Sequence, residues 1–502
     1  MIVPKTTDDA ARQRPSFARS AALTYGSQVA AAFLSLLNVL IVARVLGPEG
    51  RGHVAFLTAI AWLTASLGTF GVQEANANFA AAEPRTRRAL ATNSVLLALV
   101  LGSSMFGLLV ALIAIFPGVA GESEPALRWI TFAFFPVIVL QLLLRFLIQA
   151  DYGFGVVNAA FVLAPVLNVS VNGLFAAMGI LSVRSAVGVW LAGQALEALI
   201  FVWYVSRRLA GFGAPDLALA RRALGFGVKA HAGRVMQLGN YRLDQWILGA
   251  IAGPRELGLY SVAVAWAEAL WYLPTALSYV QRPDLVRATR REAARLTAVV
   301  FRAAVLVTAI SALVMVAAAP LLCVGVFGSD FRGSVDDLRV LVWGAFGMVA
   351  LKLFGNALVA RSRPVLQSVA IGAGFVLTVT LDVILIPPFG GLGAALASTL
   401  AYTAAGAFAG LIFLRALEGS PAELVPRAGD LGRLVRRVRA LAPSKRGAQE
   451  PGEHAHPIRG MEGHEGDEDA RQKPPLLAPA TKRSDAEDER AGGVDSELER
   501  EG

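Results

Sequence analysis

The 502-residue sequence predicts an all-α membrane protein: twelve transmembrane helices in two six-helix repeats, related by a pseudo-two-fold along the membrane normal, then a disordered C-terminal tail. Three observations predict it. Hydrophobic residues make up 55% of the chain and charged residues 17%, with mean hydropathy +0.56; soluble proteins carry about 25% charge and have no place for so much apolar surface. Twelve windows reach the roughly 20 apolar residues that a spanning helix needs. The basic residues fall in alternate loops.

The first window, 20–45, follows Lys5, Arg12, Arg14 and Arg19 and is too long for a cleaved signal's apolar core, so it reads as a retained span. The others run 53–75, 89–116, 127–149, 154–180 and 185–206, then 222–250, 257–280, 297–327, 337–360, 365–387 and 391–414. With the amino terminus in the cytoplasm, the inner loops carry Arg85, Arg87 and Arg88, then Arg207, Arg208, Arg221 and Arg222. Arg282, Arg287, Arg290, Arg291, Arg295, Arg361 and Arg363 follow in later inner loops. The outer loops offer little beyond Arg51, Arg184, Arg255 and Arg332, beside the acids Glu122, Glu124, Asp330, Asp336 and Asp337. That asymmetry places both termini inside. The resulting organisation is an N-terminal segment (1–19), a first half (20–206), a linker (207–221), a second half (222–418), a basic membrane-proximal segment (419–442) and a tail (443–502).

The charge balance excludes several classes. Of 46 basic and 37 acidic residues, the tail holds 9 and 15, which leaves 37 and 22 in the first 442 residues. A basic membrane body reflects inner-loop arginines, not nucleic-acid binding. The tail, rich in Pro, Gly, Glu and Asp, reads as disordered and cytoplasmic. Cys323 is the single cysteine, so no intrachain disulfide can form. The histidines show no metal-ligand spacing. No loop between spans exceeds about 16 residues and no GxxxxGK[ST] motif occurs, which leaves no room for a catalytic or nucleotide-binding domain. The reading is therefore not an enzyme and needs no cofactor. Its energy must come from an ion gradient, the membrane potential or the substrate's own gradient.

An internal repeat strengthens the two-half organisation. Gly47-Pro48 with Gly52 recurs as Gly253-Pro254 with Gly258, 206 residues on. Val166 to Asn172 recurs as Val376 to Asp382, at an offset of 210. Both pairs set helix one on helix seven and helix five on helix eleven, and parallel repeats of this kind place a site between the halves near the midplane.

Charges inside a span cost about 2.5–3.5 kcal/mol each and need a reason. Helix seven carries most of them: His231, Arg234, Gln237, Asn240, Tyr241, Arg242, Asp244 and Gln245 fall on one broad face. Shifted by 206, Gln28, Ser35 and Asn38 of helix one fall opposite Arg234, Tyr241 and Asp244, as two walls of one cavity would. Two other readings stand beside the cavity. The helix could lie flat in the interface, or Arg234 or Arg242 could simply pair with Asp244. Lys229 and Lys352 could meet a phosphate or snorkel. Glu197, Glu268, Asp244 and Asp382 are buried carboxylates that could carry a proton or sodium ion, or could be ion-paired. Trp266, Trp271 and Tyr272 suit sugar stacking or packing. Arg145, Glu74 and Arg302 read as anchors.

The motif Val45-Leu46-Gly47-Pro48-Glu49-Gly50-Arg51-Gly52 resembles the opening of bacterial polysaccharide flippases. So do Arg242-Leu243-Asp244 leading to Leu248-Gly249, then Leu257-Gly258-Leu259-Tyr260-Ser261. Leu381 to Pro387 followed by Phe389 to Ala395 resembles their second-half signature. The likeness covers residues 18–418 and points to the O-antigen and lipid II flippase group of the multidrug/oligosaccharidyl-lipid/polysaccharide superfamily. It implies a transporter in polysaccharide biosynthesis, in a bacterial plasma membrane. Such a protein flips an undecaprenyl-pyrophosphate-linked oligosaccharide by alternating access and makes or breaks no bond. It implies Arg234 and Arg242, with Lys229 and Lys352, as receivers of pyrophosphate, and Gln28, Asn38, Gln237, Asn240 and Tyr241 for sugar hydroxyls. Membrane lipids, H⁺ or Na⁺, and polymerase or export components are the implied partners. Lipid II flippases carry more arginine on helices one, two and eight than this chain, which favours a capsule, exopolysaccharide or O-unit substrate. A multidrug–cation antiporter of the same superfamily is the alternative.

Overall fold

The computed structural model describes residues 17–432, except residues 210, 428 and 431. The expected tail, residues 1–16 of the N-terminal segment and most of the basic segment after residue 432 lie outside the described residues.

The described residues are mainly helical: α1 (Phe17–Leu67), α2 (Val72–Ala82), α3 (Arg87–Ile115), α4 (Pro125–Ala133), α5 (Phe135–Ala150), α6 (Phe154–Ala177) and α7 (Val183–Tyr204) come first. After residue 210 follow α8 (Leu217–Ile251), α9 (Gly253–Ala267), α10 (Tyr272–Arg287), α11 (Arg290–Pro320), α12 (Ser334–Ala360) and α13 (Pro364–Leu417). Among the described residues, eight helical stretches are long and apolar enough to cross a membrane. Large apolar side chains such as Phe33, Ile115, Leu321 and Val365 stand 65–71% exposed on the outside. A surface of that kind has hydrocarbon, not water, as its solvent. The protein is a multi-pass membrane protein.

Two helices are far too long for one crossing. The apolar stretch of α1, Leu23–Leu67, has 45 residues and α13 has 54; at 1.5 Å per residue these are about 68 and 81 Å, against a hydrocarbon core of about 30 Å. Each bends at a glycine. Gly47 holds φ 67° between the limbs of α1, and Pro48 opens the second limb with φ already preset. In α13, Pro387 and Pro388 withdraw two backbone donors ahead of Gly390, at φ 54°. The Glu256 carboxylate then accepts the Gly391 N–H at 3.0 Å, at the start of the second limb.

The two Gly-Pro turns touch reciprocally. A Cβ on Gly52 would lie 1.7 Å from the Pro254 carbonyl oxygen, and one on Gly258 would lie 1.8 Å from that of Pro48. Only glycine permits this approach of α1 to α9. Gly253, like Gly47, holds a positive φ, here 84°. Because the obstructing atoms are backbone, a Gly52→Ala or Gly258→Ala substitution must push the helices apart, at a cost above the usual 1–3 kcal/mol of overpacking. Each variant should melt well below wild type in detergent, and an unchanged melting temperature would show that the contact does not hold the helices.

Three expected spans are interrupted, 127–149 at Phe134 between α4 and α5. Span 53–75 breaks where Phe70 and Gly71 take positive φ, between α1 and α2. Span 257–280 passes through a 3₁₀ turn at Glu268–Trp271, between α9 and α10. The helix expected from residue 222 starts at Leu217, where the Asp216 carboxylate accepts the Leu219 N–H at 2.9 Å.

The core is divided. Phe56, Leu57, Phe132, Phe135 and Tyr260 form a central cluster around the Gly-Pro turns. Another core holds Phe354 and Phe413, which stack with centroids 4.6 Å apart where α12 meets α13. Past α13 the chain turns back onto α11. Arg302 grips the Asp430 carboxylate at 2.9 and 3.1 Å and also donates to the Glu423 carbonyl, with both charged side chains almost wholly buried. The expected anchor role of Arg302 thus has a specific partner.

Candidate functional site

The site grows from α8, the most polar long helix. It packs at once against α1, α2, α9 and α13, which a helix lying flat on a membrane surface would not do. It is tied at both ends to earlier parts of the chain. Arg222 pairs with Glu83 at 2.8 Å, His231 Nε2 lies 2.9 Å from the Leu67 carbonyl, and Trp246 Nε1 donates to the Val119 carbonyl at 3.1 Å.

The polar residues of α8 do not share one face. Arg242 points to α9, where its guanidinium meets the Glu268 carboxylate at 2.5 and 3.3 Å while also donating to the Tyr241 carbonyl at 2.9 Å. Its partner is therefore Glu268, not Asp244. Arg51 from α1 comes within electrostatic reach of Arg242, and its Nε is buried with no hydrogen-bond partner among the described residues. Arg51 thus stands within reach of Arg242, whose own charge is paired with Glu268, where α1 meets α8 and α9. Asp244 also lies within electrostatic reach of Arg242 and Glu268. Sequence reasoning left Arg51 in an outer loop. It lies instead in the first turn after Gly47-Pro48, and the Gly-Pro contact carries it to α8 and α9.

Asn240 points into α13, and Asp244 lies between α9 and α13. Asn240 donates to the Ile371 carbonyl at 3.1 Å and accepts from Thr378 at 3.0 Å. Asp244 accepts from the Tyr260 hydroxyl at 2.6 Å and the Gln245 N–H at 2.7 Å, with the Ser398 hydroxyl 3.5 Å away. Asp382 on α13 lies within electrostatic reach of Asp244. It is 0% exposed, and neither carboxylate oxygen has a hydrogen-bond partner among the described residues. Close carboxylates in so dry a place need a proton or a cation between them.

Gln237, Asn240, Tyr241 and Lys352 do come together, around a cavity of about 30 Å³ between α8, α12 and α13. A second cavity of about 220 Å³ shares Lys352 and Gln367 with it and extends along α10 to Arg282. The Tyr241 and Trp271 rings stand 5.5 Å apart, and the Lys352 ammonium lies 5.7 and 5.9 Å from their centroids.

The remaining candidates lie elsewhere. Arg234 is half-buried and Lys229 exposed, and neither has an ion pair among the described residues. Gln28 and Asn38 line neither cavity; Asn38 instead accepts a hydrogen bond from Asn172 at 2.8 Å. Glu197 is held by Arg145, as Glu268 is by Arg242.

Polar and charged groups buried at a helical seam, under an apolar exterior, mark the class as a multi-pass membrane protein. Solved structures agree. The chain is similar to a lipid II flippase MurJ in an inward closed conformation, with 13% identity, TM-score 0.64, and 84% of this chain covering 91% of that one. It is also similar to an inward-facing multidrug resistance MATE family transporter of the MOP superfamily, with 17% identity, TM-score 0.57 and coverage of 77% and 94%. A MOP superfamily transporter from Pyrococcus furiosus matches at 15% identity, TM-score 0.54 and coverage of 80% and 95%. At these identities the likeness is one of fold. No curated protein matches the sequence. The model for a family described as polysaccharide biosynthesis protein matches residues 41–336. The chain belongs to that polysaccharide biosynthesis protein family.

Proposed function

We propose that this protein flips an undecaprenyl-pyrophosphate-linked oligosaccharide of the capsule, exopolysaccharide or O-unit type across the bacterial plasma membrane by alternating access. The observation that carries the reading is the approach of Arg51, buried at its Nε without a hydrogen-bond partner among the described residues, to Arg242, which is itself paired with Glu268. A pyrophosphate bears at least two negative charges and enters low-dielectric surroundings only where fixed cations await it. Arg234 and Lys229 extend the positive charge along α8. Neutral Gln28, Asn38, Gln237, Asn240 and Tyr241 suit sugar hydroxyls. The lipid tail stays in the bilayer throughout.

The architecture of the proposal is two six-helix halves, 20–206 and 222–418, with both termini cytoplasmic. The two limbs of α1 and of α13 count as two spans each, and α8 and the α9–α10 pair complete twelve. The reciprocal contact of Gly52 with Pro254 and Gly258 with Pro48 supports the repeat. So does a second match. The Asn38–Asn172 hydrogen bond of the first half falls where Asp244 and Asp382 face each other in the second. An amide pair on one side and an acid pair on the other suggests a division of labour, in which the second half takes up the coupling proton or sodium ion. Glu197 and Glu268 are weaker carriers, because each is already matched by an arginine.

Native mass spectrometry of the purified protein with an undecaprenyl-pyrophosphate trisaccharide and with a cationic dye tests the class of ligand. Retention of the lipid-linked sugar, reduced on removal of Arg51 and Arg242, is expected. Retention of the dye alone would overturn the reading in favour of a drug–cation antiporter.

A further inference from the structure

The cleft built on Lys352 lies within the second half, apart from the Arg51–Arg242 pair, and its chemistry is distinct. Its inner part is walled by Gln237, Asn240, Tyr241 and Tyr402; its wider part by Thr275, Ser278, Asn356 and Arg282. No aspartate or glutamate lines either part. Lys352 is half-buried and makes no ion pair or hydrogen bond among the described residues; its charge faces only the rings of Tyr241 and Trp271. A half-buried ammonium normally finds a carboxylate or reaches water along its stem. Here it stands where the two cavities meet. Arg282, also without an ion pair among the described residues, marks the wider end, on the side of the chain that carries Arg287, Arg290 and Arg361. Cations without acids, a surround of amides and hydroxyls, and two aromatic faces together match one ligand chemistry: a compact anion carried on a sugar ring. The ammonium answers the anion, the amides and hydroxyls answer ring hydroxyls, and the ring faces offer stacking. The larger cavity, about 220 Å³, has the scale of a single small group and not of an oligosaccharide.

We propose that the Lys352 cleft of the second half is a separate anion site that binds one phosphorylated sugar. Two sources share this chemistry: the headgroup of a lipid-linked sugar, or a soluble sugar phosphate entering from the Arg282 end. Only the first source rests on the flippase reading.

The test is equilibrium binding of radiolabelled glucose 1-phosphate to the full-length protein in phosphatidylcholine nanodiscs. The label should bind saturably. Lys352→Met should weaken it at least about tenfold, while Lys352→Arg keeps it within about threefold. Unlabelled glucose should not compete. Melting temperatures of both variants, measured alongside, separate loss of the site from loss of the fold. Displacement of the label by an undecaprenyl-pyrophosphate-linked sugar assigns the site to the lipid headgroup; binding that persists assigns it to a soluble sugar phosphate. Absence of saturable binding, equal binding by a folded Lys352→Met protein, or equal competition by glucose would overturn the proposal. The assay contains no lipid-linked sugar until its last arm. A protein that flips but shows no Lys352-dependent binding therefore loses this proposal alone, and one that binds but does not flip loses only the other.

Discussion

An Arg51→Ala, Arg242→Ala protein should reach the membrane at wild-type levels and export lipid-linked oligosaccharide at least about a hundredfold more slowly, since two charge-assisted contacts of about 1.5–3 kcal/mol each are removed. The two guanidinium groups meet where α1 joins α8 and α9, and the pairing of Arg242 with Glu268 neutralises only one of them. Truncating Arg242 alone also strands a carboxylate, so Glu268→Gln belongs in the same background to keep the fold. Export is scored in cells that lack their own flippase, with membrane fractionation as the control for insertion. Full export by the double variant would remove these arginines from the account.

Asp382→Asn should leave the protein folded and at least as heat-stable as wild type, because it replaces a buried carboxylate that has no hydrogen-bond partner among the described residues. Transport should then lose its response to an imposed sodium or proton gradient. Asp244→Asn should weaken the same response while also disturbing the Tyr260 hydrogen bond, and so should cost stability as well. The measurement is uptake in proteoliposomes with one gradient imposed at a time. An Asp382→Asn protein that still responds fully to the gradient would move coupling elsewhere in the chain.

How much of this was legible beforehand depended on whether the signal was local. Gly47-Pro48 and Gly253-Pro254 could be read as matching turns because turn chemistry is written in adjacent residues, and both glycines do take positive φ. The ends of the apolar helices followed from length and hydropathy. The break at Glu268–Trp271 did not, although Pro274, which cannot donate to the Leu270 carbonyl inside that turn, was its local signal. The polar side of α8 was legible, but its allocation was not. At about 100° per residue, the polar set from Asn240 round to Arg242 spans an arc of about 200°, too wide for one cavity wall. Packing divides that arc. Asn240 turns to α13, Asp244 sits between α9 and α13, Arg242 turns to the 3₁₀ turn after α9, and Tyr241 lines the Lys352 cleft. Glu268, 26 residues from Arg242, became its partner only through the tertiary fold. Arg51 was missed because a residue beside a Gly-Pro turn reads as a loop, whereas here the reciprocal glycine contact buries it in a seam.

The central claim is movement of a lipid-linked sugar between leaflets. The most direct measurement is the leaflet accessibility of a fluorescent undecaprenyl-pyrophosphate oligosaccharide in proteoliposomes, with and without the protein. Protein-dependent exposure to an external quencher, lost in the Arg51→Ala, Arg242→Ala variant, is the expected result. No exposure of any lipid-linked glycan, together with efflux of a cationic dye from the same vesicles, would contradict it.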